Sequence, residues 1–260
     1  MPKIIWMSDL HFSAKRPVQG YDTHARVRAA VRFILDHHPD AAACVITGDM
    51  ADRGTGVDYR ALQTLLSDLT MPVHPMVGNH DDRVALRAVF PLPQDAMDSF
   101  VQYRVDLKGT VLLCLDTQKA GSDAGAFCEA RMAWLKAQLA EADGSILVFV
   151  HHPPMALGLP TQDLDCMQNG EAFLESLRPY RGRMHLCAGH VHRPVTGTYR
   201  GIAFTTARSI TYQAPNPQPA WDWSSFHPAP EAPSLSVIES NLDGVIIQHQ
   251  QFCDAALGAF

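Results

Sequence analysis

The 260-residue sequence has no run of basic residues, no closely spaced cysteine pair and no long apolar stretch, and each absence narrows its function. Lys and Arg number 21 against 27 Asp and Glu, a formal charge of −6, so a broad electrostatic surface for extended nucleic acid is not expected. Any anionic ligand must therefore be held locally. No segment approaches about 18 uninterrupted apolar residues, the least that a membrane-spanning helix needs. The opening MPKIIWMSDLHF, with one lysine and a short apolar run, does not read as a signal peptide, and the expectation is a cytoplasmic protein without a membrane partner. Cys44, Cys114, Cys128, Cys166, Cys187 and Cys253 form no CxxC pair, and three of them fall inside apolar runs, which predicts reduced core thiols rather than a disulfide framework.

What is present is a series of short apolar runs of the buried-strand kind: KIIWMS, ACVIT, VHPMV, TVLLCLD, ILVFV, MHLCA, IAFTT, LSVIE and VIIQHQQF. Helical periodicity separates several of them. HARVRAAVRFILDHH puts Val27, Ala30, Val31, Ile34 and Leu35 on one stripe, and VDYRALQTLLSDL, EARMAWLKAQLAEA and the shorter EAFLESLRPY repeat the pattern. Strand and helix alternate in the first half while strands dominate the end, an order that predicts a mixed α/β layered fold, here taken as one domain over 1–260. Residues 213–234, QAPNPQPAWDWSSFHPAPEAPS, stand apart. Their prolines exclude a central strand, and Trp221, Trp223 and Phe226 argue against a free linker, so a long ordered loop packed on the body is expected.

Chemistry-bearing side chains stand at the ends of five of these strands. KIIWMS runs into Asp9-Leu10-His11, ACVIT into Gly48-Asp49, VHPMV into Gly78-Asn79-His80-Asp81, ILVFV into His151-His152-Pro153, and MHLCA into Gly189-His190-Val191-His192. In open α/β sheets the carboxyl ends of neighbouring strands form the ligand crevice, so these groups can converge. Convergence would assemble two carboxylates, one Asn carbonyl and four imidazoles, besides His80. Such mixed oxygen and nitrogen donors without thiolate suit Mn, Fe, Zn or Co better than Ca. Seven donors exceed what one tetrahedral zinc takes, whereas a bridging Asp49 would let two metals hold four protein donors each and keep open positions. In D-x-H and H-x-H, residues i and i+2 of an extended segment would face one side, and the glycines before Asp49, Asn79 and His190 would permit a close approach. Each motif alone reads as an ordinary turn; their order and shared placement at strand ends favour ligands. His24, His37, His38, His74, His185, His227 and His249 read as solvated or hydrogen-bonded side chains, while His151 and His152 compete for one role.

Taken together, the blocks D-x-H, GD, GNHD, HH and GHVH, from Asp9 to His192, resemble the calcineurin-like metallophosphoesterase superfamily. The likeness is nearest to small bacterial class III cyclic-nucleotide phosphodiesterases and glycerophosphodiesterases, which share a VHHPP-like block, here Val150 to Pro154. The resemblance implies a four-layer α/β/β/α sandwich of two mixed β-sheets flanked by helices. It implies Asp9, His11, Asp49 and His192 on a first metal and Asp49, Asn79, His151 and His190 on a second, the ions being divalent or trivalent transition metals such as Mn, Fe or Zn. The first histidine of the family's H-x-P motif is the ligand, which selects His151. Asn79 and His80 match substrate-binding positions, and His80 is implied to contact the phosphate and protonate the leaving group. GDMADRG, residues 48–54, resembles the GDxxDRG block of serine/threonine protein phosphatases, yet Arg53 reads equally as a surface residue and stays outside the expected site. By analogy with related small phosphodiesterases, residues 155–182 are where a cap or a homo-oligomer contact is expected.

The expected activity is hydrolysis of a small phosphodiester, a cyclic nucleotide or glycerophosphodiester, by in-line attack of a metal-bound hydroxide. Two divalent ions less Asp9 and Asp49 leave a local charge of about +2, which attracts a phosphodiester anion despite the acidic chain. A phosphomonoesterase shares this centre, and no motif separates the two. A nuclease fits the missing basic patches poorly, and a non-catalytic metal-binding scaffold would have no use for His80.

Overall fold

Unbroken apolar runs mark strands covered on both faces. The computed structural model, which describes residues 2–241 and 243–252, arranges them in two sheets. The first holds β1 (Lys3–Met7), β2 (Ala43–Ile46), β3 (Val73–Pro75), β10 (Ser234–Ser240) and β11 (Val245–Gln251), in the order β11-β10-β1-β2-β3. The second is built from β4 (Tyr103–Leu107), β5 (Thr110–Cys114), β6 (Ser145–Val150), β7 (Arg183–Ala188), β8 (Thr196–Tyr199) and β9 (Ile202–Thr206), in the order β4-β5-β6-β7-β9-β8. β1, β2 and β3 run parallel, as do β5, β6, β7 and β9, and antiparallel strands complete both sheets.

Period-two alternation divides the second sheet between two cores. Leu112, Leu147, Phe149 and Cys187 pack with the first sheet, and the rings of Trp6 and Phe149 meet edge to face at 6.1 Å between the sheets. Val111, Leu113, Ile146 and Val148 face the other way, onto Leu135 and Leu139 of α4 (Glu129–Glu141) and Phe173, Leu174 and Leu177 of α5 (Gly170–Leu177). Each such buried side chain contributes roughly 1.5–3 kcal/mol. The first sheet is covered by α1 (Thr23–His37), whose Val27, Ala30, Val31 and Ile34 are buried while Leu35 is half-buried, and by α2 (Gly56–Leu66). Asp22 caps α1 by accepting from the Ala25 amide, and Thr55 caps α2 by accepting from that of Asp58. Two mixed sheets flanked by helices are the architecture that the motifs imply.

Three elements escape the sequence patterns. β4 mixes polar residues into an edge strand and β8 is wholly exposed, so neither has an apolar run, and α3 (Arg83–Arg87) is too short to show periodicity. The expected strand over VHPMV ends early, at Pro75. Within 155–182, Gly170–Leu177 belongs to the body as α5, and only the preceding turn reaches the crevice. Cys44, Cys114 and Cys187 are buried, Cys128 is exposed, Cys166 is half-buried, and all five are free; Cys253 lies outside the described residues. Among the described residues no helix is long and apolar enough to cross a membrane.

Candidate active site

The loops leaving β1, β2, β3, β6 and β7 meet in one cleft, and their backbone is unusual. Asp9 (φ 53°), His11 (42°), Asp49 (45°), His190 (71°) and His192 (50°) all adopt the left-handed conformation, five of the seven non-glycine residues that do so among those described. Each such L-residue costs roughly 1–2 kcal/mol, and residues of this kind concentrate at functional sites. The D-x-H and H-x-H pairs are therefore not on extended backbone. Paired left-handed residues, rather than strand alternation, bring both side chains of each pair to the site, which corrects the expectation of a shared strand face. Backbone bonds hold the turns: the Asp9 amide donates to the Gly48 carbonyl at 3.2 Å and that of His11 to the Asp49 carbonyl at 2.8 Å. Gly48, at φ 89°, touches its counterpart in the next loop so closely that an added Cβ would lie 2.6 Å from both the Gly78 nitrogen and His151 Nδ1. Only glycine fits there.

All seven expected ligands and His80 are brought together. Ligand atoms of Asp9, His11 and His192 lie within 4.8 Å of one another, as do those of Asp9, Asp49 and His151, and of His11, Asp49 and His80. The rings of His151 and His190 are 5.1 Å apart. Hydrogen bonds on the far nitrogens fix which nitrogen faces the site. His151 Nδ1 bonds the Thr47 carbonyl at 2.8 Å and His192 Nδ1 the Tyr212 carbonyl at 2.8 Å, so each presents Nε2. His11 Nε2 and His192 Nε2 then face each other at 3.1 Å. His151 Nε2 stands 3.1 Å from Asn79 Oδ1, while the Asn79 amide donates to Asp123 at 3.4 Å, which sets the direction of its carbonyl. His152 differs: its Nδ1 is bonded to Thr117 Oγ1 at 2.8 Å and its Nε2 to the Asp123 carbonyl at 3.0 Å, so it braces the loop and has no lone pair to offer. Arg53 is 71% exposed beside Asp52 and does not line the cleft.

Electrostatics agree with this donor set. Burial alone raises a carboxyl's pKa, but His192 and His151 outweigh it at Asp9, which falls to about 2, and His151 and His80 hold Asp49 well below the usual carboxylate range. Burial pushes His11 and His190 down to about 3, leaving their imidazoles neutral and able to coordinate. Burial also lowers His151, but Asp49 and Asp9 overcome it and lift the group to about 9. Without a cation, His151 carries the proton that balances the two buried carboxylates; a metal ion can take that place. His80, exposed at the cleft, is drawn down by burial and raised further by Asp49, so its net pKa is raised.

Several residues that shape the cleft gave no signal as ligands. Asp81 accepts from the amides of Met50, Ala51 and Gly78 and from the Tyr59 hydroxyl at 2.8–3.1 Å, tying the β2 and β3 loops together. Its pKa is raised to about 6 by burial and by Asp49. Tyr212 follows β9, a sixth strand end that the search for histidines and carboxylates passes over, and its ring lies 4.5 Å from His192 and 5.2 Å from His11. Asp123 sits in a turn with no distinguishing pattern. The cleft, about 270 Å³, is completed by Gln162 and Asp165 and by Trp223 and Phe226 of the Pro-rich segment, with Trp223 within hydrogen-bonding reach of Asp165. That segment is anchored by a Gln213–Ala229 bridge and by Arg193 and Arg208, both paired with Glu231.

Known proteins resemble this chain in sequence and fold. The sequence profile described as calcineurin-like phosphoesterase matches residues 2–194. A Rhodopseudomonas palustris protein named probable cyclic nucleotide phosphodiesterase is 36% identical, covering 96% of this chain and 92% of the relative. The Enterobacter lignolyticus glycerophosphodiester phosphodiesterase is 32% identical over 80% of this chain and 77% of its own. Among solved structures, a dimetal phosphatase from Danio rerio superposes with a TM-score of 0.69 at 18% identity, covering 96% of each chain, a likeness of fold. With the motifs, the two-sheet fold and the profile in agreement, the chain belongs to the calcineurin-like phosphoesterase family.

Proposed function

We propose that the chain hydrolyses small phosphodiesters at a two-metal centre, with Asp9, His11, Asp49 and His192 holding one ion and Asp49, Asn79, His151 and His190 the other. The Asp49 carboxylate carries this reading: its Oδ2 is 3.5 Å from His11 Nε2 and 3.5 Å from His151 Nε2, one oxygen placed between a ligand of each set. Donor separations near 3 Å are what metal bonds of about 2.0–2.2 Å produce. The facing Nε2 atoms of His11 and His192, 3.1 Å apart, are also close enough to share a cation. Bound divalent ions would supply Lewis-acid charge and a nucleophile at neutral pH.

The chain's own groups do the rest. His80 Nδ1 is held by the Asp52 carbonyl at 3.0 Å, and its ring stands edge-on to His11 at 4.6 Å. Its Nε2 keeps no hydrogen-bond partner among the described residues, and Asp49 raises its pKa, which favours the protonated ring. From there it stabilises charge on the departing oxygen and delivers the proton that oxygen needs. The names of the two relatives, a cyclic nucleotide and a glycerophosphodiester phosphodiesterase, favour diesters over monoesters. The test is hydrolysis of bis(p-nitrophenyl) phosphate against p-nitrophenyl phosphate by metal-stripped protein reloaded with manganese. Preference for the diester with two manganese ions per chain is expected. Preference for the monoester would make the protein a phosphatase, and metal uptake without turnover of either would make it a scaffold.

A further inference from the structure

The outer half of the cleft has no lysine or arginine among its lining residues, although the proposed substrate is an anion. It has carboxylates instead. Asp123 and Asp165 line it, and burial and then the Asp123 charge raise the Asp165 pKa from its ordinary value. Three rings stand with them, the Trp223 side chain within hydrogen-bonding reach of Asp165. Trp223, 57% exposed, lies 5.6 Å from Phe226, which in turn lies 5.9 Å from Tyr212. Gln162, 3% exposed, donates its amide to the Val191 carbonyl, and its Oε1 has no partner among the described residues. The two segments are fastened to each other, because the Thr161 hydroxyl donates to the Trp221 carbonyl.

Two carboxylates beside aromatic faces suit an organic cation, which the rings attract and the acids neutralise. A nucleobase would stack on the same rings and could donate an amino or imino N–H to a carboxylate, but it brings no positive charge to offset the two acids. Negative charge placed this near a phosphate site is a cost unless the substrate carries compensating positive charge. We propose that this outer half is a subsite for an ammonium group borne by one alcohol of the diester, set against Trp223 and Phe226 and between Asp123 and Asp165, with Gln162 Oε1 accepting from it where the nitrogen carries hydrogen. The substrate class is then a zwitterionic phosphodiester. This inference rests on the diesterase reading and sharpens it.

The test compares two diesters of one shape on the manganese-loaded protein, p-nitrophenyl phosphorylcholine and p-nitrophenyl 3,3-dimethylbutyl phosphate, which differ only in the positive charge. The choline ester is expected to have the higher kcat/KM by at least about tenfold, and the ratio should fall toward one in Trp223→Ala and in Asp165→Asn. Because the readout is a ratio within one protein, general damage by a substitution cancels. Equal turnover of the two esters by the wild type, or faster turnover of 3′,5′-cyclic AMP than of the choline ester, overturns the subsite and leaves the diesterase standing. Titration with tetramethylammonium, followed by tryptophan fluorescence, needs no turnover. Saturable quenching that Asp165→Asn abolishes, in a protein that hydrolyses neither ester, would keep the cation site and sink the diesterase; absence of both signals sinks both.

Discussion

The floor and the rim of the cleft are built in opposite ways. On the floor, Asp9, His11, Asp49, His151 and His192 are no more than 6% exposed, four of the five sit in left-handed backbone, and carbonyls of neighbouring loops hold the outer nitrogens of His151 and His192. On the rim, Trp223 is 57% exposed, and the side chains that bound the cleft come from a Pro-rich segment and a short turn. Strain of this kind persists only where the surroundings over-determine it. On the proposed reading, floor residues fix where the chemistry happens, and rim residues choose what is admitted to it. Substitution should separate the two: floor changes ought to act on every substrate alike, rim changes on the ratio between substrates.

The largest effect is expected at Asp49, whose carboxylate stands between both sets of ligands. Asp49→Ala should lose both metals, counted by elemental analysis, and with them turnover of any phosphoester. An active, metal-replete variant would remove the bridging assignment and with it the unity of the floor. His80 is the next step down, since it stands exposed beside the floor and is proposed to hold no metal. His80→Ala is expected to keep its metals and lose roughly 10²–10⁴-fold in rate on substrates with poor leaving groups, far less on p-nitrophenyl esters, whose leaving group needs no proton. Loss of metal instead would make His80 a ligand.

A smaller effect, read in stability rather than rate, is expected at Asp81. Asp81→Ala strands three buried backbone donors, those of Met50, Ala51 and Gly78, together with the Tyr59 hydroxyl. Leaving buried donors unpaired should destabilise the fold by about 3 kcal/mol, which at this chain length lowers Tm by about 6–12 °C. An unchanged Tm in the metal-free protein would mean that the β2 and β3 loops are tied by other contacts.

The same division governs what could be read in the sequence. The floor is legible because its chemistry needs particular residue types in order along the chain, and five strand ends supply them from Asp9 to His192. How they converge is not legible, because left-handed conformation at an aspartate or histidine leaves no mark in the residue itself; only Gly48 hints at it. The sheets are legible where both faces are buried, as in β5 and β6, and illegible at β4 and β8, whose exposed faces carry polar residues. Choosing His151 over His152 needed the family pattern. The reason becomes physical only in three dimensions, where Thr117 and the Asp123 carbonyl occupy both nitrogens of His152. Trp223 and Phe226 stand out in composition, but nothing local in the sequence says that the segment returns to the cleft beside Asp165.

Tyr212 belongs to both regions and gives the finest test of their difference. Its carbonyl holds His192, its ring packs between His192, His11 and Phe226, and its hydroxyl reaches His11 Nε2 only at 3.5 Å. Burial and the Asp49 and Asp9 carboxylates raise its pKa, so the hydroxyl stays neutral and adds no charge to the site. A contact of that length contributes little, and the carbonyl survives any substitution. Tyr212→Phe keeps the carbonyl and the ring, so turnover and metal content should stay within about twofold of the wild type, the change expected from removing a weak contact. A loss of tenfold or more with metals retained would make the hydroxyl part of the floor's chemistry. The boundary between what positions the reaction and what selects its substrate would then run through the side chain of Tyr212, beyond its backbone.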